Sequence, residues 1–386
     1  MAEPASGRLG RRRLAVVSLH AHRPLAPRGE RTRRLLERLE RDWEVELIAP
    51  PPSLSTGGAT GSGRSNSARR LARRIVSLVL LDKWEPWSAK RLLRWQPRVD
   101  AALLIGHPYS PLVYASRRLR EAAVPYVVDV GDPWVLTSLE TELSALARAR
   151  AAGAERRLWH GAAGAVLTTP QQAGEIERVA PGIRTLVRPG GYDEVGAVAE
   201  PSPDRTDSVL RLAHFGMFNN QRLDPRPLLG RLALSGRWSS IVLAQFGDDF
   251  AGFLDEPIPG VEVERHPTYP WPEVLERAPA YDLAVVLGNR NPSQLPSKAV
   301  QYLTLPIPRL AISAGGEDAL AAYVAGKPGW LTLGPEQEDA AERVQDHLSK
   351  RWAPAEMAPP AAESWPGVAE TIAEFLAECV TAGGSR

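Results

Sequence analysis

Short apolar runs recur along this chain and alternate with amphipathic stretches of helical period. The runs at 13–19, 43–49, 101–105, 126–130, 164–168 and 185–188 are too short for buried helices, and they are rich in Val, Leu and Ile, as interior strands of a parallel sheet are. Helical patterns lie between most of them, including 31–41 after a loop at 20–30. Residues 200–207 carry two prolines and no periodicity and read as a linker. The alternation then restarts, with runs at 210–215, 241–246, 261–265, 283–287, 307–312 and 330–333. Two successive sets of alternating strands and helices predict an α/β protein with two doubly wound parallel sheets. A ligand of such a pair is expected in a crevice facing the carboxyl ends of the strands.

The expected divisions are an N-terminal domain over 1–199, the linker 200–207, a second domain over 208–365, and a C-terminal helix within 366–386. That helix places Val368, Ile372, Phe375, Leu376 and Cys379 on one face. Its pattern fits a return to the first domain, which is the expectation, and also a place on the second. Residues 1–10 read as a tail. Residues 50–67, rich in Gly, Ser, Thr and Pro, read as a flexible loop.

Composition narrows the class. The chain has 386 residues, 44% of them hydrophobic and 24% charged, which suits a soluble two-domain protein. A net charge of +2 implies no strong global attraction to nucleic acid. The single Cys379 excludes an internal disulfide and any multi-cysteine metal site. No run is apolar for the ~18–20 residues that span a bilayer, and 1–10 lacks the apolar core of a signal peptide. A cytoplasmic location is the resulting expectation. The basic amphipathic segment 68–81, with Trp84, Trp87 and Trp95 beyond it, fits peripheral contact with the inner membrane face, or a packing helix with a solvated arginine face.

The densest chemistry lies at 283–313. A buried strand is followed by a polar loop and then by Leu295-Pro296-Ser297-Lys298-Ala299-Val300-Gln301-Tyr302-Leu303. Pro296 and Ser297 suit a helix start, whose free backbone N–H groups attract anions, and Lys298 adds positive charge there. Asp248 and Asp249 are the only adjacent aspartates, and they read as helix-capping residues; His20 and His22 are too few for a metal site.

This segment resembles the donor-binding segment of glycosyltransferase family 4, whose members have the GT-B architecture of two Rossmann-like domains facing each other across a cleft. Pro296, Lys298, Tyr302, Leu303 and Pro306 match its Pro-x-Lys-x-x-Glu-Tyr-Leu pattern and following Pro. Further matches run in order along the chain. Pro125-Tyr126-Val127-Val128-Asp129-Val130-Gly131-Asp132-Pro133-Trp134 is similar to the Asp-x-Arg-Asp-Pro-Trp motif of one branch, with Gly131 in place of Arg. Trp84 and Trp87, the loop 106–111, and Arg188-Pro189-Gly190-Gly191-Tyr192-Asp193 lie where that branch has counterparts. Phe215-Gly216-Met217-Phe218 and the Arg222–Leu229 stretch are similar to the first strand and loop of the donor domain.

The resemblance implies a set of roles. Gly29 would let the backbone approach the donor phosphates, or it is an ordinary turn. Gly216, Arg222 and Lys298 would hold the diphosphate, with Ser297 beside them. His107 would sit near the transferred sugar, or is structural. Either Asp129 or Asp132 would orient the acceptor hydroxyl or act as base, although Asp132 equally suits a helix N-cap. Two family glutamates are replaced, by Ser293 and Gln301. The implied activity is retaining transfer of a sugar from a nucleotide diphosphate to an acceptor hydroxyl, without a required metal or other cofactor. The implied partners are the nucleotide sugar and a carbohydrate, lipid-linked or small-molecule acceptor, in surface polysaccharide or glycolipid synthesis. The alternatives are natural-product glycosylation and a catalytically inactive relative that binds a nucleotide sugar or a partner protein.

Overall fold

The computed structural model describes residues 11–22, 27–50, 91–106, 109–132, 134, 145–193, 208–350, 352–353 and 355–383. His107, the segment 50–67, most of 68–95 and the linker 200–207 lie outside the described residues, apart from Pro50 and 91–95. The chain forms two compact units. The first comprises 1–168, 172–188 and 368–386; the second comprises 169–171 and 189–367.

The first unit holds a six-stranded parallel sheet in the order β2-β1-β3-β4-β5-β6. Its strands are β1 (Arg13–Ser18), β2 (Glu44–Ile48), β3 (Ala101–Ile105), β4 (Tyr126–Asp129), β5 (Gly164–Leu167) and β6 (Thr185–Val187). All five residues of β3 are buried, as a strand covered on both faces requires. Between the strands run α1 (Pro27–Leu39), α2 (Ser110–Glu121), α3 (Ala145–His160) and α4 (Pro170–Val179). On α2 the buried Leu112, Ala115, Ser116 and Leu119 follow the spacing of one helical face.

One boundary departs from the sequence reading. The periodicity starts α1 at residue 31, but the helix begins at Pro27. Proline suits a first helical position because its fixed φ matches the helix and its missing N–H is not needed there. Gly29 therefore lies in the first turn of a helix and not in the preceding loop.

The second unit holds the order β12-β11-β10-β7-β8-β9, also parallel throughout. Its strands are β7 (Val209–Phe215), β8 (Ser240–Phe246), β9 (Val261–His266), β10 (Leu283–Leu287), β11 (Arg309–Ile312) and β12 (Trp330–Leu333). Its helices are α5 (Arg226–Leu234), α6 (Trp271–Arg277), α7 (Ser297–Gln301), α8 (Ala319–Val324) and α9 (Ala340–Ser349). Both faces of the sheet are covered by apolar clusters, one around Leu212, Leu243, Leu283 and Leu310, the other around Ala213, Phe246, Val286 and Ala311. Strand β11 starts at Arg309, two residues after the apolar run begins, because Pro308 offers no N–H to a ladder. Asp249 accepts hydrogen bonds from Ala251 N and Leu254 N, so it closes a turn and no helix follows it.

The last helix, α10 (Trp365–Gly383), passes from the second unit to the first between Gly367 and Val368. Within the first unit it lies on β5. A Cβ added at Gly164 would stand 2.6 Å from Cys379 Sγ and 2.9 Å from Phe375 Cζ. Arg38 on α1 pairs with Glu370 on the same helix.

Candidate functional site

In the second sheet the chain steps from β7 outward to β9, then returns to the other side of β7 with β10. The carboxyl ends of β7 and β10 thus flank the switch point where doubly wound sheets take their ligands. The two loops that leave these ends are stitched together. Leu223 N donates to Gly288 O at 2.9 Å and Arg290 N to Gln221 O at 2.7 Å. Arg222 Nη1 donates to Asn289 Oδ1 at 2.6 Å, and Asn289 Nδ2 to Gln294 O at 2.8 Å. Ser293 turns back on its own loop, with N and Oγ both donating to Asn291 Oδ1.

Lys298 sits in the first turn of α7, after a Pro296 whose extended backbone starts the helix. Its side chain lies against Gly216 at the end of β7. A Cβ added at Gly216 would be 3.4 Å from Lys298 Cε and 3.3 Å from His214 Nε2. Lys298 Nζ stands 5.3 Å from the centre of the Trp271 ring. Burial, and then repulsion from Arg222, push the Lys298 ammonium down to about 8. Burial also lowers Arg222 from its ordinary value. Neither cation makes an ion pair with a carboxylate among the described residues. Two partly desolvated positive charges that repel each other carry an electrostatic cost, and an anion between them would relieve it.

The surrounding groups hold this arrangement without adding charge. His214 Nδ1 donates to Val285 O at 2.8 Å, because a carbonyl can only accept. Its Nε2 is therefore an acceptor, and burial lowers the imidazole to about 3, so it stays neutral. Tyr302 OH accepts from Phe215 N at 2.7 Å and ties the short helix to the end of β7. Arg309, which is 1% exposed, donates to Tyr302 O, Leu303 O and Leu305 O, carbonyls at the end of that helical segment. A buried cation at a helix C-terminus is stabilised by exposed carbonyl charge.

Of the sequence candidates, Gly216, Arg222 and Lys298 come together. Ser297 is exposed and Gln301 half-buried on the same short helix, while Ser293 is buried in its turn. No hydrogen bond joins these three to Arg222 or Lys298 among the described residues.

In the first unit, Asp129 is fully buried at the end of β4. Arg31 Nε donates to its Oδ2 at 2.8 Å and to its Oδ1 at 3.1 Å, and Arg31 Nη2 to Oδ1 at 3.0 Å. Both oxygens are engaged, and the pair fastens α1 to the sheet. Asp132 is more open, with its side chain 38% exposed, and takes Arg28 Nη2 at 2.8 Å. Gly131 has no room for a side chain. A Cβ there would stand 2.6 Å from Thr168 Cγ2 and 2.8 Å from Arg28 Nη2. Arg28 thus fills the space beside the position where the resembling branch has its arginine. The residues that sequence reasoning passed over are Arg28, Arg31, His214, Gln245, Asn289 and Arg309. His214 and Gln245 left a signal: each is a buried polar residue next to the last position of its strand, after an apolar run. Among the described residues, no group of three or more His, Cys, Asp or Glu side chains could hold a metal ion, and no helix is long and apolar enough to cross a membrane.

Solved structures share this architecture. Sucrose-phosphate synthase from Thermosynechococcus elongatus aligns over 96% of this chain and 100% of its own, with a TM-score of 0.64 and 15% identity. Anabaena HepE in complex with UDP aligns over 95% and 100%, with a TM-score of 0.58 and 14% identity. The lipopolysaccharide outer core galactosyltransferase WaaB in its apo form aligns over 94% and 99%, with a TM-score of 0.58 and 13% identity. The fold is therefore that of the GT-B glycosyltransferases. No protein-family model and no curated protein matches the chain in sequence.

Proposed function

We propose that this protein is a glycosyltransferase that binds a nucleoside diphosphate sugar at the switch point of its second sheet. The observation that carries the reading is the Arg222–Lys298 pair, two largely buried cations with no carboxylate partner among the described residues, beside a glycine at a strand end. A diphosphate supplies the missing negative charge. As the sugar–phosphate bond breaks, charge grows on the leaving diphosphate, and fixed cations stabilise that state more than the ground state. Sharing a fold with a UDP-bound protein and with a galactosyltransferase supports the assignment. No metal is needed for this electrostatic role.

Within this reading the protein belongs to family 4, in the branch with the Asp-x-Arg-Asp-Pro-Trp-type motif, and transfers with retention. The first unit takes the acceptor. Asp132, half-open and held by Arg28, is the carboxylate suited to orient an acceptor hydroxyl, and His107 is the residue proposed to meet the transferred sugar. Ser297 and Gln301 contribute neutral hydrogen bonds to the donor; Gln301 would meet the ribose. Surface polysaccharide or glycolipid synthesis is the proposed setting, with the protein in the cytoplasm and at the inner membrane face.

One observation favours a second reading. The two family glutamates are replaced by Ser293 and Gln301, and the Ser293 side chain is spent on its own turn. A nucleotide-sugar-binding protein without transfer activity would look the same at the cations. A panel of nucleotide sugars separates the readings. At least one should raise the melting temperature of wild type by mass action and leave that of Lys298→Ala unchanged. Release of nucleoside diphosphate from that sugar marks the enzyme; binding without release marks the second reading. If no nucleotide sugar shifts the wild type, both fall.

A further inference from the structure

Gln245 is the penultimate residue of β8 and is 1% exposed, yet it is polar. Its Nε2 donates to Gly216 O at 2.6 Å and reaches Gly247 O at 3.3 Å. Two carbonyls can only accept, so the amide nitrogen must face them. The price is that Oε1 lies buried with no partner among the described residues. An orphaned buried acceptor is destabilising, and a leucine or methionine of similar volume would avoid it. The residue is thus explained by its donor end, which clamps the loop after β7 at Gly216.

The clamp fixes more than a carbonyl. In a trans peptide the C=O and the following N–H point to opposite sides. With Gly216 C=O turned to Gln245, the N–H of Met217 is turned away from it. Its neighbours are satisfied: Gly216 N donates to Phe246 O at 2.9 Å and Phe218 N to Asp248 O at 3.0 Å. Met217 N donates to nothing among the described residues. The residue before it has no side chain to shield this N–H, and Lys298 packs against that same residue.

We infer that Gln245 is a positioning residue for the anion site: it aims the Met217 N–H, which donates to a phosphate oxygen of the nucleoside diphosphate. This rests on the reading of the site given above. A backbone donor held in place before binding needs no reorganisation when charge develops, whereas a lysine side chain must be ordered.

The test uses the intact chain. Met217 is the only methionine of this sequence that follows a glycine, since Met357 follows Glu356 and Met1 is the first residue given. Labelling glycine carbonyls with ¹³C and methionine nitrogens with ¹⁵N therefore isolates the Gly216–Met217 amide as a single resonance. The probes are UDP and inorganic pyrophosphate, which needs no matching base. Saturation with either should move the Met217 amide proton downfield. Gln245→Leu should weaken binding by about tenfold, the loss expected for one hydrogen bond to a charged group. A probe that binds wild type without moving the resonance overturns the inference, as does a Gln245→Leu protein that binds as tightly. In Gln245→Leu that shift should shrink; a purely structural role for Gln245 would weaken binding yet leave the shift at saturation as large as in wild type. Should Gln245→Leu fail to fold, the wild-type spectrum decides alone. If neither probe binds wild type, the diphosphate reading itself is lost and this inference with it, a result distinct from binding without a shift.

Discussion

At the carboxyl edge of the first sheet, Arg31 and Arg28 each stand against an aspartate; at that of the second sheet, Arg222 and Lys298 repel each other. The contrast separates two uses of charge. Asp129 and Arg31 are both nearly inaccessible and satisfy one another through three hydrogen bonds, so their charges are spent on joining α1 to β4. Arg222 donates to the neutral Asn289, and Lys298 faces the ring of Trp271. Neither partner cancels a charge. Paired charges explain a fold, while uncancelled ones next to a strand end call for a ligand.

The comparison can be broken by removing single charges. The largest effect is expected at the closed pair. Asp129→Asn removes the carboxylate charge against which Arg31 is buried and should cost about 3–5 kcal/mol of stability, read by chemical denaturation. The open site should respond with the opposite sign. Lys298 holds its charge at a cost, because its folded value of about 8 lies below the ordinary 10.5. The unfolded chain binds more protons between these values, so stability should rise with pH through that window. Lys298→Met removes the penalty and should stabilise the protein by about 1–3 kcal/mol at neutral pH, while weakening UDP binding by roughly a hundredfold. Smallest is the effect at Gly131, where Gly131→Ala presses on Thr168 and the flexible end of Arg28. A loss of about 1–2 kcal/mol is expected, measured by the same denaturation.

These sites also differ in how far the sequence reveals them. The strands were legible because burial on both faces writes an unbroken apolar run, as in β3 and β10. Lys298 was legible because a proline, a serine and a lysine after such a run form a local pattern. The partner of Asp129 was not, since Arg31 lies 98 positions away and only the sheet order brings them together. The start of α1 was missed because Arg28 and Glu30 are polar on both sides of Gly29 and carry no apolar period. Arg309 looked like part of an apolar strand's edge, and its capping of three carbonyls depends on a turn that local spacing does not encode.

Proton uptake on binding tests the central claim most directly. Calorimetric titration of UDP at pH 8, repeated in buffers of different ionisation enthalpy, counts the protons taken up. If a diphosphate lies against a lysine that titrates at about 8, binding restores its charge and wild type should take up about half a proton, with none in Lys298→Met. Tight binding with the same uptake in both proteins would contradict the account.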